Sequence, residues 1–599
     1  MTTFRNWQDL PFREIWLVDT EFYPGAGFAS GGADGDLPTP LCVVAHELRG
    51  NRAIRLWQNE LGRFPPYRLD DNALFIAYMN AAEFGTHMAL GWGQPACSLD
   101  LYIEFRHFMN DGSVPAGKRQ KGFYSLAGAL RRFGDGFVDV SVKDDTRDRI
   151  LQGPPFTSVE RARIIDYCES DVAALARLLP YLLPTIRSLP RAMFRSRYQW
   201  AMAAQERRGV PIDPRLETVR AQWDQILADL VREKDAPFGC YEFDKTGKPH
   251  WSSSRFAAFV ERNRMQWPAY PSGQLIVKTQ TFREMAGRYK FVEPLRELRD
   301  SVSKLRLNSL RVGSDGRNRC LLGAYGTKTA RNAPSNSQFV FGPAKWIRFF
   351  IAPPPGLALV HRDFSQQEVR IAAVLSGDAA LLAACDSGDV YIATGEQIGL
   401  IRTSMSAEER AQARDLMKTV VLGISYGMQA FSLSLRTGLS VDVCEEILAR
   451  IRARYPKFEA FVERTYDRAG LDLELGTRLG WFMQCPPHIN ERTVRNYLMQ
   501  ANGSEILHMT CILAERRGIE VVAPVHDALM AQGPADAIED VSTALDQCMR
   551  DASAFVLRGY ELPTDKQIIM PGQRFYDKRG ASMWETVNRL IASRQKISA

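Results

Sequence analysis

Residues 357–370 read LALVHRDFSQQEVR, and residues 519–530 read IEVVAPVHDALM. Each is an apolar run that delivers an aspartate, Asp363 in the first and Asp527 in the second. A short continuous apolar run bounded by polar residues is the pattern of a buried strand. The first run leads straight into a helical pattern. In the second, Val521–Val525 and Leu529–Met530 flank His526-Asp527-Ala528 as the two strands of a hairpin, with Asp527 at its tip. From residue 346 onward strands and helices alternate, and these two apolar strands each end in an acid.

Between these runs a helix is expected to begin near Ser406, with Glu409 at capping-box spacing. It carries Arg414, Lys418, Leu422 and Tyr426 four residues apart, and Gly427 follows. Steps of four drift by about 40° each, so these side chains share a stripe of roughly 120°. A core helix would fill that stripe with aliphatics. Cations in its first half point to phosphate, and Tyr426 adds a stacking surface.

A second acidic pattern opens the chain. Ile15-Trp16-Leu17-Val18 reads as a buried strand ending on Asp19-Thr20-Glu21, whose two acids point to one face. Glu83 follows the apolar stretch 74–77, and Asp100 is its rival for the same role. Tyr167 and Asp171 share a helix face at i, i+4 spacing, on a helix that Thr157 and Glu160 cap. Four converging acids repel one another unless divalent cations neutralise them, which suggests two-metal hydrolysis of a phosphodiester.

The chain has 599 residues, 45% of them hydrophobic and 24% charged, enough for about three to five structural units at about 100–200 residues each. No apolar run reaches a membrane-spanning length of about 18 residues. The N-terminus lacks the basic start and apolar core of a secretory signal. Lys and Arg number 76 against 69 Asp and Glu, a net +7 that permits a polyanionic partner without demanding one. The basic excess gathers at 288–319, with nine Lys or Arg against four acids. Ten cysteines without a CxxC pair fit a reducing cytoplasm.

Taken in order, these segments resemble the family A DNA polymerases, the class of bacterial DNA polymerase I and many phage replicases. DFSQQEVR is similar to that family's motif A, the Arg414–Gly427 helix to motif B, and VHDA to motif C. The first acidic pattern resembles the DEDD-type 3′–5′ proofreading exonucleases. The resemblance implies a multidomain α/β and α+β chain. Residues 1–190 would be an RNase H-like 3′–5′ exonuclease domain, followed by a right-hand polymerase. Its parts would be a helical thumb with the start of the polymerase domain at 191–330, an antiparallel β palm at 331–375 and 486–599, and helical fingers at 376–485. A start directly on the proofreading domain leaves no room for a 5′-nuclease, as in phage replicases.

The site residues follow from the same resemblance. Asp363 and Asp527 would hold two Mg²⁺, or Mn²⁺, about 4 Å apart. Asp19, Glu21, Glu83 and Asp171 would hold the exonuclease pair, with Tyr167 orienting the attacking water. Arg414, Lys418, Leu422, Tyr426, Gln367 and Glu368 would bind the dNTP, Lys418 also protonating the leaving group and Glu368 excluding a ribose 2′-hydroxyl. Arg331, Arg492, Asn496, Gln500 and His526 would contact primer–template DNA, and Lys304, Arg306 and Arg311 its phosphates. A monomer is expected, with a helicase, a single-strand binding protein or a processivity factor as further partners and no membrane. Three positions depart from the family pattern. Glu83 stands where the family has Asp. Leu422 replaces an aromatic, leaving sugar discrimination to Glu368. Ala528 replaces the motif C Glu, so the polymerase metal site is expected to rest on two aspartates and a backbone carbonyl. The competing readings are a single-subunit phage-type RNA polymerase and a DNA-binding protein with a decayed site.

Overall fold

The computed structural model describes residues 4–24, 36–112, 122–136, 140–304, 307–342 and 344–598. Two sheets organise it. The first holds β1 (Glu14–Tyr23), β2 (Thr39–Glu47), β3 (Arg52–Trp57), β4 (Ala73–Ala77) and β5 (Cys97–Asp100) in the order β3-β2-β1-β4-β5. β1, β2 and β3 pair antiparallel, whereas β4 and β5 join in parallel. Central β1 is buried on both faces because its side chains alternate between two cores. Ile15 and Leu17 pack into the core under the long helix, and Trp16 and Val18 into the opposite one. The strand continues past its acids to Tyr23, so Asp19 and Glu21 lie within its body and not at its tip as the sequence reading expected.

Helices α1 (Ala81–Leu90), α2 (Leu101–Phe108), α3 (Ser158–Leu182) and α4 (Leu189–Arg208) surround this sheet. The capping box of α3 is present: Thr157 accepts from the Glu160 amide while Glu160 reaches back to the Thr157 amide.

The second sheet is antiparallel throughout. It contains β6 (Leu357–Phe364), β7 (Glu520–Val525), β8 (Ala528–Pro534) and β9 (Thr564–Ile569) in the order β7-β8-β6-β9. β7 and β8 form the expected hairpin around His526-Asp527, and His526 takes the left-handed φ of 59° that so tight a turn requires. Helix α5 (Gln367–Ser376) leaves β6, α6 (Ala407–Ser425) lies across the cavity from it, and α7 (Glu491–Arg516) precedes β7. No described helix is long and apolar enough to cross a membrane. All ten cysteines are free thiols, nine of them buried.

The two sheets belong to one packed body. From α2, Arg106 donates to the Tyr325 and Gly326 carbonyls at 2.9 and 2.8 Å. Asn110 donates to the Lys328 and Phe482 carbonyls at 2.9 and 2.7 Å. The His107 ring stacks on Trp481 with centroids 4.8 Å apart. Beneath them Arg195 of α4 forms a two-pronged ion pair with Glu104, both side chains fully buried. Burial alone would raise the Glu104 carboxyl, but Arg195 draws it down to about 2.

Candidate functional site

The polymerase-like cavity opens where β6, α5, α6 and the β7–β8 turn meet. It measures about 520 Å³, and its lining includes Asp363, Gln367, Glu368, Arg414, Lys418, Leu422, Tyr426 and Asp527. The remote aspartates are brought together by strand register. Asp363 stands opposite Ala528, and the Phe364 amide donates to the Asp527 carbonyl at 3.2 Å. Burial raises both carboxyls. With Asp527 and Asp565 beside it, Asp363 is pushed up to about 7. Among the described residues its Oδ1 is buried without a hydrogen-bond partner, as is Nε2 of Gln367, whose side chain is 3% exposed.

Helix α6 turns the four-residue stripe toward these acids. Its capping box is present, with Ser406 and Glu409 bonded reciprocally. Lys418 is exposed to the cavity. Arg414 is held by Asp389 at 2.5 Å and lies over the Tyr391 ring, and both partners line the same cavity. Glu368 is clamped from two sides: Arg331 Nη2 donates to one carboxylate oxygen at 2.6 Å and the Tyr426 hydroxyl to the other at 2.6 Å. Arg331, expected on DNA, thus spends its guanidinium on Glu368 in this structure.

Sequence reasoning missed two acids here. Asp389 carries no signal beyond its cap of the helix Val390–Gln397. Asp565 sits in the polar stretch ELPTDKQ, and only the β6–β9 register places it directly opposite Asp363.

A second centre lies on the other sheet. Asp19, Glu21 and Asp171 offer carboxylate oxygens that all lie within 4.8 Å of one another, close enough to share a metal ion. α3 supplies Asp171 and the half-buried Tyr167, and its Cys168 thiol bonds the Asp19 carboxylate at 3.1 Å. Glu83, on the first turn of α1, falls outside that trio. It is 2% exposed, its Oε2 has no hydrogen-bond partner among the described residues, and burial followed by Asp19 raises its carboxyl well above the ordinary range. Its rival Asp100 has a different task. That carboxylate caps α2, accepts from the Met79 and Asn80 amides, and takes Gln199 Nε2 at 2.9 Å. Asp100 is thus a structural acid, pushed up to about 6 by burial.

Beside Glu21 a cavity of about 480 Å³ is lined by Arg147, Arg207, Arg311 and Arg319 among apolar residues. Arg311 therefore faces the acidic trio's side of the molecule. Among the described residues of the 288–319 run, several cations are engaged within the protein. Arg296 pairs with Glu293, Arg319 with Asp315, and Arg299 lies over Trp251 and Phe282. Arg306 and the Lys304 side chain lie outside the described residues. On α7, Arg492 donates to the Gly427 carbonyl, Asn496 Oδ1 is buried without a partner among the described residues, and Gln500 is half-buried.

The sequence model of DNA polymerase family A matches residues 343–565. The chain carries a family A DNA polymerase domain. That domain contains β6, α6 and the β7–β8 hairpin, hence every acid and cation of the larger cavity named above. Among curated proteins, DNA polymerase I of Chloroflexus aurantiacus is 28% identical over 239 residues, 36% of this chain and 24% of the relative. DNA polymerase I of Pseudomonas aeruginosa is 29% identical over 224 residues, 35% and 24% of the two chains. DNA polymerase theta of Caenorhabditis elegans is 26% identical over 227 residues, 35% and 13%. The matches thus span about a quarter or less of those relatives' lengths. The POL domain of Pol1 from M. smegmatis, solved in complex with DNA primer-template and dNTP, shares the fold at a TM-score of 0.67 and 17% identity, over 94% of this chain and 96% of that one.

Proposed function

We propose that this protein is a template-directed DNA polymerase that extends a primer 3′-hydroxyl with dNTPs and trims mispaired 3′ ends in a second site. One observation carries the reading: Asp363 and Asp527 line a single cavity with Arg414 and Lys418. The all-oxygen donor set and the orphaned Asp363 Oδ1 fit hard divalent cations. When bound, such ions would acidify the primer hydroxyl and offset charge on the departing pyrophosphate. Arg414 and Lys418 hold the triphosphate, and Lys418 is the proton donor to the leaving group. Tyr426 stacks near the new base pair, and Glu368, fixed by Arg331 and Tyr426, fills the space a 2′-hydroxyl would need. Base pairing supplies the sequence information, so the protein contacts duplex shape and phosphates.

The trimming activity is supported by the trio of Asp19, Glu21 and Asp171, with Glu83 and Tyr167 beside it. On this reading residues 1–190 trim, 191–330 grip duplex as the thumb, 376–485 are fingers, and 331–375 with 486–599 are palm. The setting is cytoplasmic genome replication.

The test is extension and shortening of a 5′-labelled primer on a template, with and without Mg²⁺ and with dNTPs or rNTPs. The wild type should extend with dNTPs only. Asp527→Asn should abolish extension while binding primer–template as before. Equal extension by mutant and wild type, or a preference for rNTPs, would overturn the assignment.

A further inference from the structure

The pairing of β6 leaves Asp363 with a neighbour on each side, and the two differ. On the β8 flank stands Ala528, which is 2% exposed and brings no ligand atom. On the β9 flank stands Asp565. Directly opposed residues of an antiparallel pair share a face, with Cβ atoms about 4.5–5.5 Å apart. Asp565 accordingly lines the same cavity as Asp363, Asp527 and Lys418. Ser365, two residues beyond Asp363, donates its hydroxyl to Asp565 Oδ2 at 2.6 Å, which ties the carboxylate to β6 and leaves Oδ1 outside that bond.

An exposed acid on a sheet edge is ordinarily just solvated. Two observations set this one apart. Asp363 Oδ1 is buried with no hydrogen-bond partner among the described residues, and Gln367, which is 3% exposed and lines the same cavity, carries an Nε2 likewise without a partner among them. Such orphaned polar atoms mark a place where a bound group completes the bonding.

We propose that Asp565 is the third carboxylate of the polymerase cavity, sharing a divalent cation with Asp363 from the flank opposite Ala528. This rests on the polymerase reading and changes its ligand set: three aspartates from β6, the β7–β8 turn and β9, instead of two and a carbonyl.

The test is Mn²⁺ titration of the full chain, followed by electron paramagnetic resonance, in an Asp19→Ala background that disables the other metal centre. Asp565→Asn keeps an acceptor for Ser365 and removes only the charge. It should weaken Mn²⁺ binding by about tenfold or more and raise the Mg²⁺ concentration for half-maximal extension similarly. Asp565→Glu should recover part of both, and thermal unfolding should show all variants folded. If the parent binds Mn²⁺ and extends primers but Asp565→Asn is indistinguishable from it, the third-ligand role is wrong. If the parent neither binds nor extends, the polymerase reading itself has failed.

Discussion

Glu368 has more partners than a side chain that merely occupies space requires. Its two oxygens are held by different elements, Arg331 from the segment before β6 and Tyr426 from the end of α6. On the proposed reading, the clamp sets where a 2′-hydroxyl would collide. Glu368→Ala should therefore raise rNTP use relative to dNTP by about tenfold or more in single-nucleotide incorporation. Glu368→Gln, equal in size, should keep most of the discrimination. An unchanged ratio in the alanine variant would refute this role. Glu206, which lines the cavity beside Glu21, offers a pH test outside the acidic trio itself. Burial pushes its carboxyl up to about 7, although it accepts from the Leu322 amide at 2.6 Å. The folded state thus holds a proton that the unfolded chain releases near its ordinary value of about 4.5, so stability falls as pH rises between the two. Glu206→Gln keeps the acceptor and should stabilise by about 2 kcal/mol at pH 8, with no gain below pH 4.5, in denaturant titrations. At this scale the sequence was readable wherever an acid ended an apolar run, as Asp363 and Asp527 do. Asp565 and Asp389 were hidden because their significance comes only from the partner across a sheet or a helix gap.

Among elements, α6 was the most legible. Its capping box, its cationic stripe and its glycine stop could each be read from spacing, because helix periodicity is local. The stop is also a place to test. Gly427 has φ +66°, and a Cβ there would meet Arg492 Cγ at 3.1 Å and Arg495 Cδ at 3.2 Å. Gly427→Ala should cost about 1–2 kcal/mol of local stability. That would appear as faster hydrogen exchange at the end of α6, next to Tyr426, and unchanged protection there would refute the strain argument. The basic run at 288–319 was less legible, for the opposite reason. Charge can be counted in a sequence, but which guanidinium folds back on a neighbouring acid depends on tertiary packing. Likewise the reach of β1 past Glu21 follows from pairing with β2, which continues to Tyr23 opposite Thr39.

At the level of the molecule, the two acidic centres sit on different sheets and share no ligand. Asp19→Ala should therefore eliminate shortening of a mismatched 3′ end and leave extension of a matched primer unchanged, both read on one gel. Persistent shortening would remove the exonuclease assignment. The packing of α2 against Tyr325, Lys328, Trp481 and Phe482 has a mechanical implication. Neither workplace hangs on a swivel, because the seam between them is bolted by Arg106, Asn110 and the His107–Trp481 stack. If the proposed trimming holds, a faulty terminus would itself make the journey, peeling off its template and threading across a fixed gap.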